Sequence, residues 1–297
     1  MRRAIAYDRL PTEQAHPRSH ALDRLTPEQL VMLMNREDAR VVRAVARSRR
    51  AIARAIELIA HGLRCGGRLF FLGAGTSGRL GVIEAAECPP TFHTKPSLVQ
   101  AFIAGGRRAV FRSQEGAEDR GRDARALVRR RIHTGDVVVG IAASGVTPFV
   151  TDGLREAAGR GAGTILITCN PRSTAPAHIR IALSVGPEVL TGSTRLKAGT
   201  ATKLVLNMLT LGAMVQLGKT YGNLMVDVRP TSKKLRARAI TMIRQLTRYS
   251  EPDAARLLHA AHGQVKSAVV MSAGDLGYAA ARRRLARASD SLRRALQ

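Results

Sequence analysis

Residues 68–79 read Arg68-Leu69-Phe70-Phe71-Leu72-Gly73-Ala74-Gly75-Thr76-Ser77-Gly78-Arg79. A short apolar run ends in glycines and hydroxyl residues, and a helical pattern begins after them. An apolar run of this length without polar alternation is what a strand buried on both faces requires. Similar runs recur at 98–104, 136–141, 163–168 and 181–185, with helical segments between them. That order predicts an α/β fold, a parallel sheet flanked by helices.

Outside this region the chain reads as helix. Residues 1–25 form a polar, Pro-containing lead. Thr26-Pro27-Glu28-Gln29 then joins an N-cap residue, a proline at the first helical position and an acid in the first turn. Val41, Val42, Val45, Ile52, Ile56 and Ile59 follow at roughly helical spacing and predict one long amphipathic helix over 37–62, stopped by Gly66-Gly67. A second long helix is predicted over 195–218. Beyond about 230 there is no strand-like run, and short helices are expected at 231–247, 251–261, 263–272 and 276–296. Three parts follow: an N-terminal helical lead (1–49), the α/β domain (50–230) and a small all-helical C-terminal module (231–297).

The 297 residues carry 48 Lys and Arg against 22 Asp and Glu, a formal charge of +26. Such an excess ordinarily points to nucleic acid or an anionic membrane. Only 7 of the 48 are Lys, so a coding bias toward Arg accounts for much of it, and aromatics at 3% without Trp leave little for base stacking. No helix-turn-helix pattern accompanies the charge, which argues against nucleic acid. Cys65, Cys88 and Cys169 are far apart and lack zinc-site spacing, so reduced thiols, a cytoplasmic setting and no metal are expected. Asp8 interrupts the N-terminus before an apolar segment can form, which speaks against a secretory signal. The apolar stretch 204–217 is too short to span a bilayer and contains Asn207 and Gln216, so it reads as a buried helix.

The chemistry gathers in the turns. Glycines at 73–78 let backbone approach an anion, Thr76 and Ser77 supply hydroxyls, and the helix start adds a positive dipole end, so phosphate is the natural ligand. Gly73, Gly75 and Gly78 also satisfy G-x-G-x-x-G, but no acid closes a second strand about twenty residues on, so a dinucleotide is the weaker reading. Two more hydroxyl turns precede helices: Ser144-Gly145-Val146-Thr147-Pro148 and Thr191-Gly192-Ser193-Thr194-Arg195. One such turn is ordinarily a helix cap. Three at the carboxyl ends of strands predict a small phosphorylated ligand.

Among the acids, Glu84 and Glu87 lie three apart on the helix after the first turn, and Cys88-Pro89-Pro90 is expected to end that helix at once. Glu87 then sits beside a like charge at a helix C-terminus, a position that disfavours its ionised form and suits a general acid. Glu118, in Glu115-Gly116-Ala117-Glu118-Asp119 ahead of an Arg-bearing helix, is expected to stay ionised and suits a general base. On spacing alone, solvated caps and Arg partners explain these acids equally well.

With these stretches on view, the sequence resembles the N-acetylmuramic acid 6-phosphate etherases of the sugar isomerase (SIS) superfamily. The resemblance runs from Thr12-Glu13-Gln14 to the C-terminal module. It is most specific at 73–81, Glu87-Cys88-Pro89-Pro90-Thr91-Phe92, Ile103-Ala104-Gly105-Gly106, 115–119, 144–148, 191–208 and Gly222-Asn223-Leu224-Met225-Val226-Asp227-Val228. It implies an SIS domain at 50–230, a C-terminal module similar to a ubiquitin-associated fold, and a cofactor-free lyase that cuts the lactyl ether of a phosphosugar with water. It also implies catalysis by Glu87 and Glu118, substrate contacts from Thr76, Ser77, Ser144, Gly145, Thr147, Ser193 and Thr194, and a homodimer with the site near the subunit boundary.

The chain departs from the family pattern at Val146, where Arg is usual, at His16 in place of Asn, and at His93 in place of Gly. Glu84 replaces a usual Asp. The two histidines read as surface or core residues rather than catalysts, and Arg282-Arg283-Arg284 as a solvated face. Two rivals share the scaffold. A non-catalytic sugar-phosphate regulator, like the glucokinase regulatory protein, needs at most one of Glu87 and Glu118; an SIS aldose–ketose isomerase should lack the Glu-Cys-Pro-Pro-Thr stretch.

Overall fold

A computed structural model of the chain describes residues 7–297; the N-terminal residues 1–6, part of the segment weighed above for a secretory signal, lie outside it. The elements run α1 (Pro27–Arg47), α2 (Arg49–Arg64), β1 (Leu69–Gly73), α3 (Gly75–Phe92), β2 (Val99–Ile103), α4 (Arg108–Phe111), α5 (Gly121–Arg131), β3 (Val137–Ile141), α6 (Pro148–Gly159), β4 (Gly163–Thr168), β5 (Ile179–Ala182) and α7 (Lys197–Gln216). Only helices follow: α8 (Lys233–Thr247), α9 (Glu251–Ala260), α10 (Val265–Gly274), α11 (Tyr278–Arg287) and α12 (Leu292–Ala295). The chain divides into two compact units, the first comprising residues up to 86 and 97–210, the second 87–96 and 211–297.

The first unit is an α/β fold whose sheet is parallel throughout, with strand order β2-β1-β3-β4-β5. Order reverses at β1, which lies between β2 and β3, with Gly73 opposite Ile141. In an open parallel sheet the crevice at such a reversal is where ligands bind. Both glycine-and-hydroxyl turns, 73–78 and 142–147, leave the sheet there. β1 and β3 are buried along their whole length, as their unbroken apolar runs require. One face packs Phe70, Leu72, Val138 and Leu166 against Ala124 and Val128 of α5 and Val150 and Leu154 of α6. The fifth strand lies two to three residues earlier than its apolar run suggested, because Arg180 points out between buried Ile179 and Ile181. It is an edge strand, paired on one side only.

The helix ends follow local chemistry. Thr26 closes a capping box with Gln29, each side chain bonding the other's backbone N–H. The long helix predicted over 37–62 is two helices. Ser48 falls between them, and its hydroxyl donates to the Ala182 carbonyl at 2.7 Å. Gly78 permits the strand-to-helix turn to close, since a Cβ there would lie 2.8 Å from the Gly73 carbonyl and 2.6 Å from Ile103.

Contrary to the expected stop at Cys88, α3 continues through Pro89 and Pro90 to Phe92, and the Pro89 carbonyl accepts the His93 N–H at 3.0 Å. Both prolines fall in the last turn, where a missing N–H costs a single helical bond each. α7 is 20 residues long with a mean hydropathy of 1.2, long and apolar enough to cross a membrane; 56% of it is buried inside the fold. The 204–217 run is thus the later part of a longer helix.

The second unit has its own core of Val226, Met242, Ile243, Leu258, Val269, Val270, Leu285 and Leu292. Ser232 and Ser250 cap α8 and α9 through the backbone N–H groups of Leu235 and Asp253. The last stretch, read above as one helix over 276–296, is α11 and α12.

Candidate functional site

A cavity of about 390 Å³ opens at the carboxyl edge of the sheet beside the β1–β3 reversal. Ser77 from the first turn, Ser144 and Thr147 from the second, and Thr194 from the third all line it, together with Glu118. Five of the residues expected to act thus meet in one hollow although they are spread over more than a hundred positions.

The second turn is held from below. Asn170 Nδ2 donates to the Ser144 carbonyl at 2.9 Å, Ser173 Oγ to the Gly145 carbonyl at 2.7 Å, and Thr168 Oγ1 to the Ala143 carbonyl at 3.1 Å. Gly145 has φ +71°, and a Cβ on it would meet Ser173 at 2.5 Å. Its part is to shape the loop, and it does not line the cavity. Thr147 occupies the N-cap of α6 without a side-chain cap bond and lines the hollow. Thr76 and Ser193 are also outside the lining; the Thr76 methyl sits near Gly199 in the first turn of α7.

Glu118 stands in the loop ahead of α5, its carbonyl accepting the Phe149 N–H at 2.9 Å. The expected Arg partner is absent: Arg125 instead pairs with Asp152 at 2.8 Å, and among the described residues no cation lies within ion-pair distance of Glu118. Partial burial, reinforced by Asp119 and Glu115, pushes its carboxyl above the ordinary range. This is a correction, because a nearby Arg and a helix start were expected to hold the group firmly ionised. The result is a stronger base than an exposed glutamate.

Glu87 lies on α3 with an exposed side chain, five residues before the helix end rather than at it. Its neighbour Glu84 is buried and bonded to Lys203 and the Thr210 hydroxyl, so the like charge meant to act on Glu87 has its own cation. Neither of the two features expected to mark Glu87 as an acid, a helix end and an uncompensated like charge, is present in the fold.

Several lining residues were not singled out as site residues. Tyr7, Leu10, Thr12 and Glu13 bring the N-terminal lead into the wall, and Asp119 joins Glu118. Glu13 Oε2 comes within 3.1 Å of where a Cβ on Gly192 would be, which places the lead against the third turn. The available signal was Thr12-Glu13-Gln14, quoted above only as a point of resemblance.

The lead is clasped by buried Glu37 of α1. Glu37 binds His16 Nε2 at 3.1 Å and Lys197 Nζ at 2.8 Å, and pairs with Arg18 and Arg40. Burial alone would raise this carboxyl; the bonds from Lys197, His16 and Arg18 outweigh it and hold it at about 2. Lys197 and Ala198 also give their backbone N–H groups to Glu188 at 3.0 and 2.9 Å, fixing the start of α7 just after Thr194. His16 is thus a structural clasp. Among the described residues no group of His, Cys, Asp and Glu is disposed to hold a metal.

A parallel sheet reversing at β1, with hydroxyl turns and a carboxylate at the reversal, is the frame expected of the SIS class. The comparisons agree: the SIS domain model matches residues 120–212, and the glucokinase regulatory protein N-terminal SIS domain model matches 51–158. The N-acetylmuramic acid 6-phosphate etherase of Rippkaea orientalis is 54% identical over 88% of this chain and 87% of its own. That of Synechocystis sp. is 51% identical over 97% of this chain and 95% of its own. The chain belongs to the N-acetylmuramic acid 6-phosphate etherase family. Among solved structures, a phosphoheptose isomerase from Neisseria gonorrhoeae is similar at 18% identity and TM-score 0.45, over 62% of this chain and 98% of that one.

Proposed function

We propose that this enzyme cleaves the D-lactyl ether of N-acetylmuramic acid 6-phosphate, giving N-acetylglucosamine 6-phosphate and D-lactate. The observation that carries the reading is the convergence of Ser77, Ser144, Thr147 and Thr194 on one cavity with a carboxylate of raised basicity, Glu118. The hydroxyls and the backbone of the turns receive the phosphate. In the open-chain sugar the C1 aldehyde acidifies the C2 proton, and Glu118 removes it. The C3–O bond breaks and Glu87 protonates the departing lactate oxygen. Water then adds at C3 of the unsaturated intermediate, and the proton returns to C2. No cofactor takes part in these steps.

The SIS domain proposed at 50–230 contains the spans matched by both family models, and the lead and C-terminal module complete the chain. A homodimer fits an apolar stripe on α7, where Met208, Leu211 and Val215 are exposed at helical spacing. Cys65 and Cys169 as free thiols fit a cytoplasmic enzyme of amino sugar recycling.

The test is D-lactate release from N-acetylmuramic acid 6-phosphate by purified protein beside Glu87→Gln and Glu118→Gln. Release by wild type that is lost in both variants is expected. The match to a regulatory protein's domain favours one second reading, a non-catalytic sugar-phosphate sensor; tight phosphosugar binding without lactate release would establish it instead.

A further inference from the structure

The second unit contains a larger cavity, about 600 Å³, lined only by residues of 87–96 and 211–297. Neither Glu118 nor Glu87 lines it, and the proposed reaction gives it no part. Its size is that of small-molecule sites.

Its charges do not cancel. Asp227 is met by Lys219 at 3.0 Å and by Lys266 at 2.9 Å. Asp290 is met by Lys266, whose nearly inaccessible ammonium also donates to the Asp290 carbonyl at 2.7 Å. With two lysines set against two aspartates, the arginines are in surplus. Arg282 comes no nearer than 3.8 Å to Asp290, and among the described residues Arg229 has no carboxylate partner. His93, in the same wall, is pushed below the usual imidazole range first by burial and then by Arg229 and Lys219, against the opposing pull of Asp227 and Asp290.

The backbone singles out the same place. Six described residues other than glycine have positive φ, and His93, His262, Ser289 and Asp290 of this lining are four of them. A residue other than glycine in the left-handed region is uncommon, and here each follows the end of a helix, so three helix ends turn at this lining.

We propose that this cavity is a second ligand site, for a hydroxyl-bearing phosphate ester of sugar size. The free guanidinium of Arg229 and the loosely engaged Arg282 receive the phosphate, for which their planar forks are suited. Asp227 and Asp290, held in place by the lysines, accept from the ligand's hydroxyls. An occupant of this kind makes the second unit a sensor of phosphosugar level.

The experiment is calorimetric titration of the full chain with glucose 6-phosphate and, separately, inorganic phosphate, for wild type, Arg229→Ala, Arg282→Ala, Arg229→Lys and Thr147→Ala. Thermal denaturation confirms that each variant is folded. We expect a component that weakens at least tenfold in Arg229→Ala and Arg282→Ala, is largely kept in Arg229→Lys, and persists in Thr147→Ala. Tighter binding of the sugar ester than of phosphate identifies the hydroxyl contacts; equal binding of the two overturns that part of the assignment. A single component, insensitive to Arg229 and lost in Thr147→Ala, overturns the site. Lactate release measured on the same wild-type preparation separates this result from the etherase reading, since either can fail while the other stands.

Discussion

The cavity at the sheet edge and the cavity among the helix ends are both polar, yet they are built from opposite charges. The first is lined by Glu13, Glu118 and Asp119 without a single Lys or Arg; the second holds Lys219, Arg229, Lys266 and Arg282. A chain of formal charge +26 thus keeps its cations away from the carboxylate it would use as a base. A cation beside Glu118 would lower its pKa and weaken it as a proton acceptor, so in the proposed reaction the phosphate is left to hydroxyls and backbone. The contrast separates anion capture from proton transfer.

The largest effect expected is from removing the carboxylate itself. Glu118→Gln should lower kcat/KM for lactate release by about 10²–10⁴-fold, the range of general acid–base contributions. An unchanged rate would mean that the acidic character of the first cavity is incidental.

Next is the clasp that brings the lead into the cavity wall. Glu37→Ala leaves Lys197 buried without its partner and should cost about 3–5 kcal/mol in denaturant unfolding, as breaking a buried ion pair does. The sign with pH follows from the direction of the shift. Glu37 is held at about 2 when folded, below its ordinary value of 4.5. Its contribution is complete above that ordinary value and is lost as pH falls toward 2; acid unfolding of wild type that tracks Glu37→Gln throughout this window would remove Glu37 from the account.

A smaller effect tests the charge contrast directly. Val146→Arg puts a cation into the wall of the first cavity, and should lower KM several-fold, on the order of 1 kcal/mol for one partly exposed charge pair. Because Glu118 is raised, its protonation should set the acid limb of kcat/KM above the usual glutamate range; the new Arg should move that limb to lower pH. A lower KM with an unmoved limb would show that Glu118 does not set it. Smallest is the effect of salt. With the cations elsewhere, raising ionic strength should reduce kcat/KM only about two- to threefold through long-range steering, and a steep fall would place cations at the catalytic pocket after all.

Much of the first cavity was legible because its parts are local. A buried parallel strand writes itself as an unbroken apolar run, and the turn after it needs glycine where Gly78 passes close to Gly73, so Ser77, Ser144, Thr147 and Thr194 could be found by position. What was missed depends on distant partners. Glu118 was assigned an Arg that Asp152 holds instead. Glu37 and Lys197 lie 160 residues apart, and nothing in either neighbourhood announces the pair. Edge strand β5 was placed two to three residues late, since Arg180 cuts Ile179 off from the apolar run that follows it. The second cavity showed only one of its parts, the stretch that holds Val226, Asp227 and Val228: it is assembled where the ends of α3, α9 and α11 meet, and only the fold brings His93, His262 and Asp290 together.

The three cysteines differ in a way an experimenter can use. Cys88 and Cys169 are buried, and burial, with Glu188 nearby, pushes the Cys169 thiol up to about 12, so neither should react with a maleimide at neutral pH. Cys65 is exposed at the C-cap of α2, ahead of the amino end of β1, while the hydroxyl turns leave the carboxyl end. Five strand residues span about 16 Å. Native protein therefore offers one labelling position, set off from the cavity at the carboxyl edge by the length of a strand, where a fluorophore can report on ligand binding without a cysteine-free background being built first.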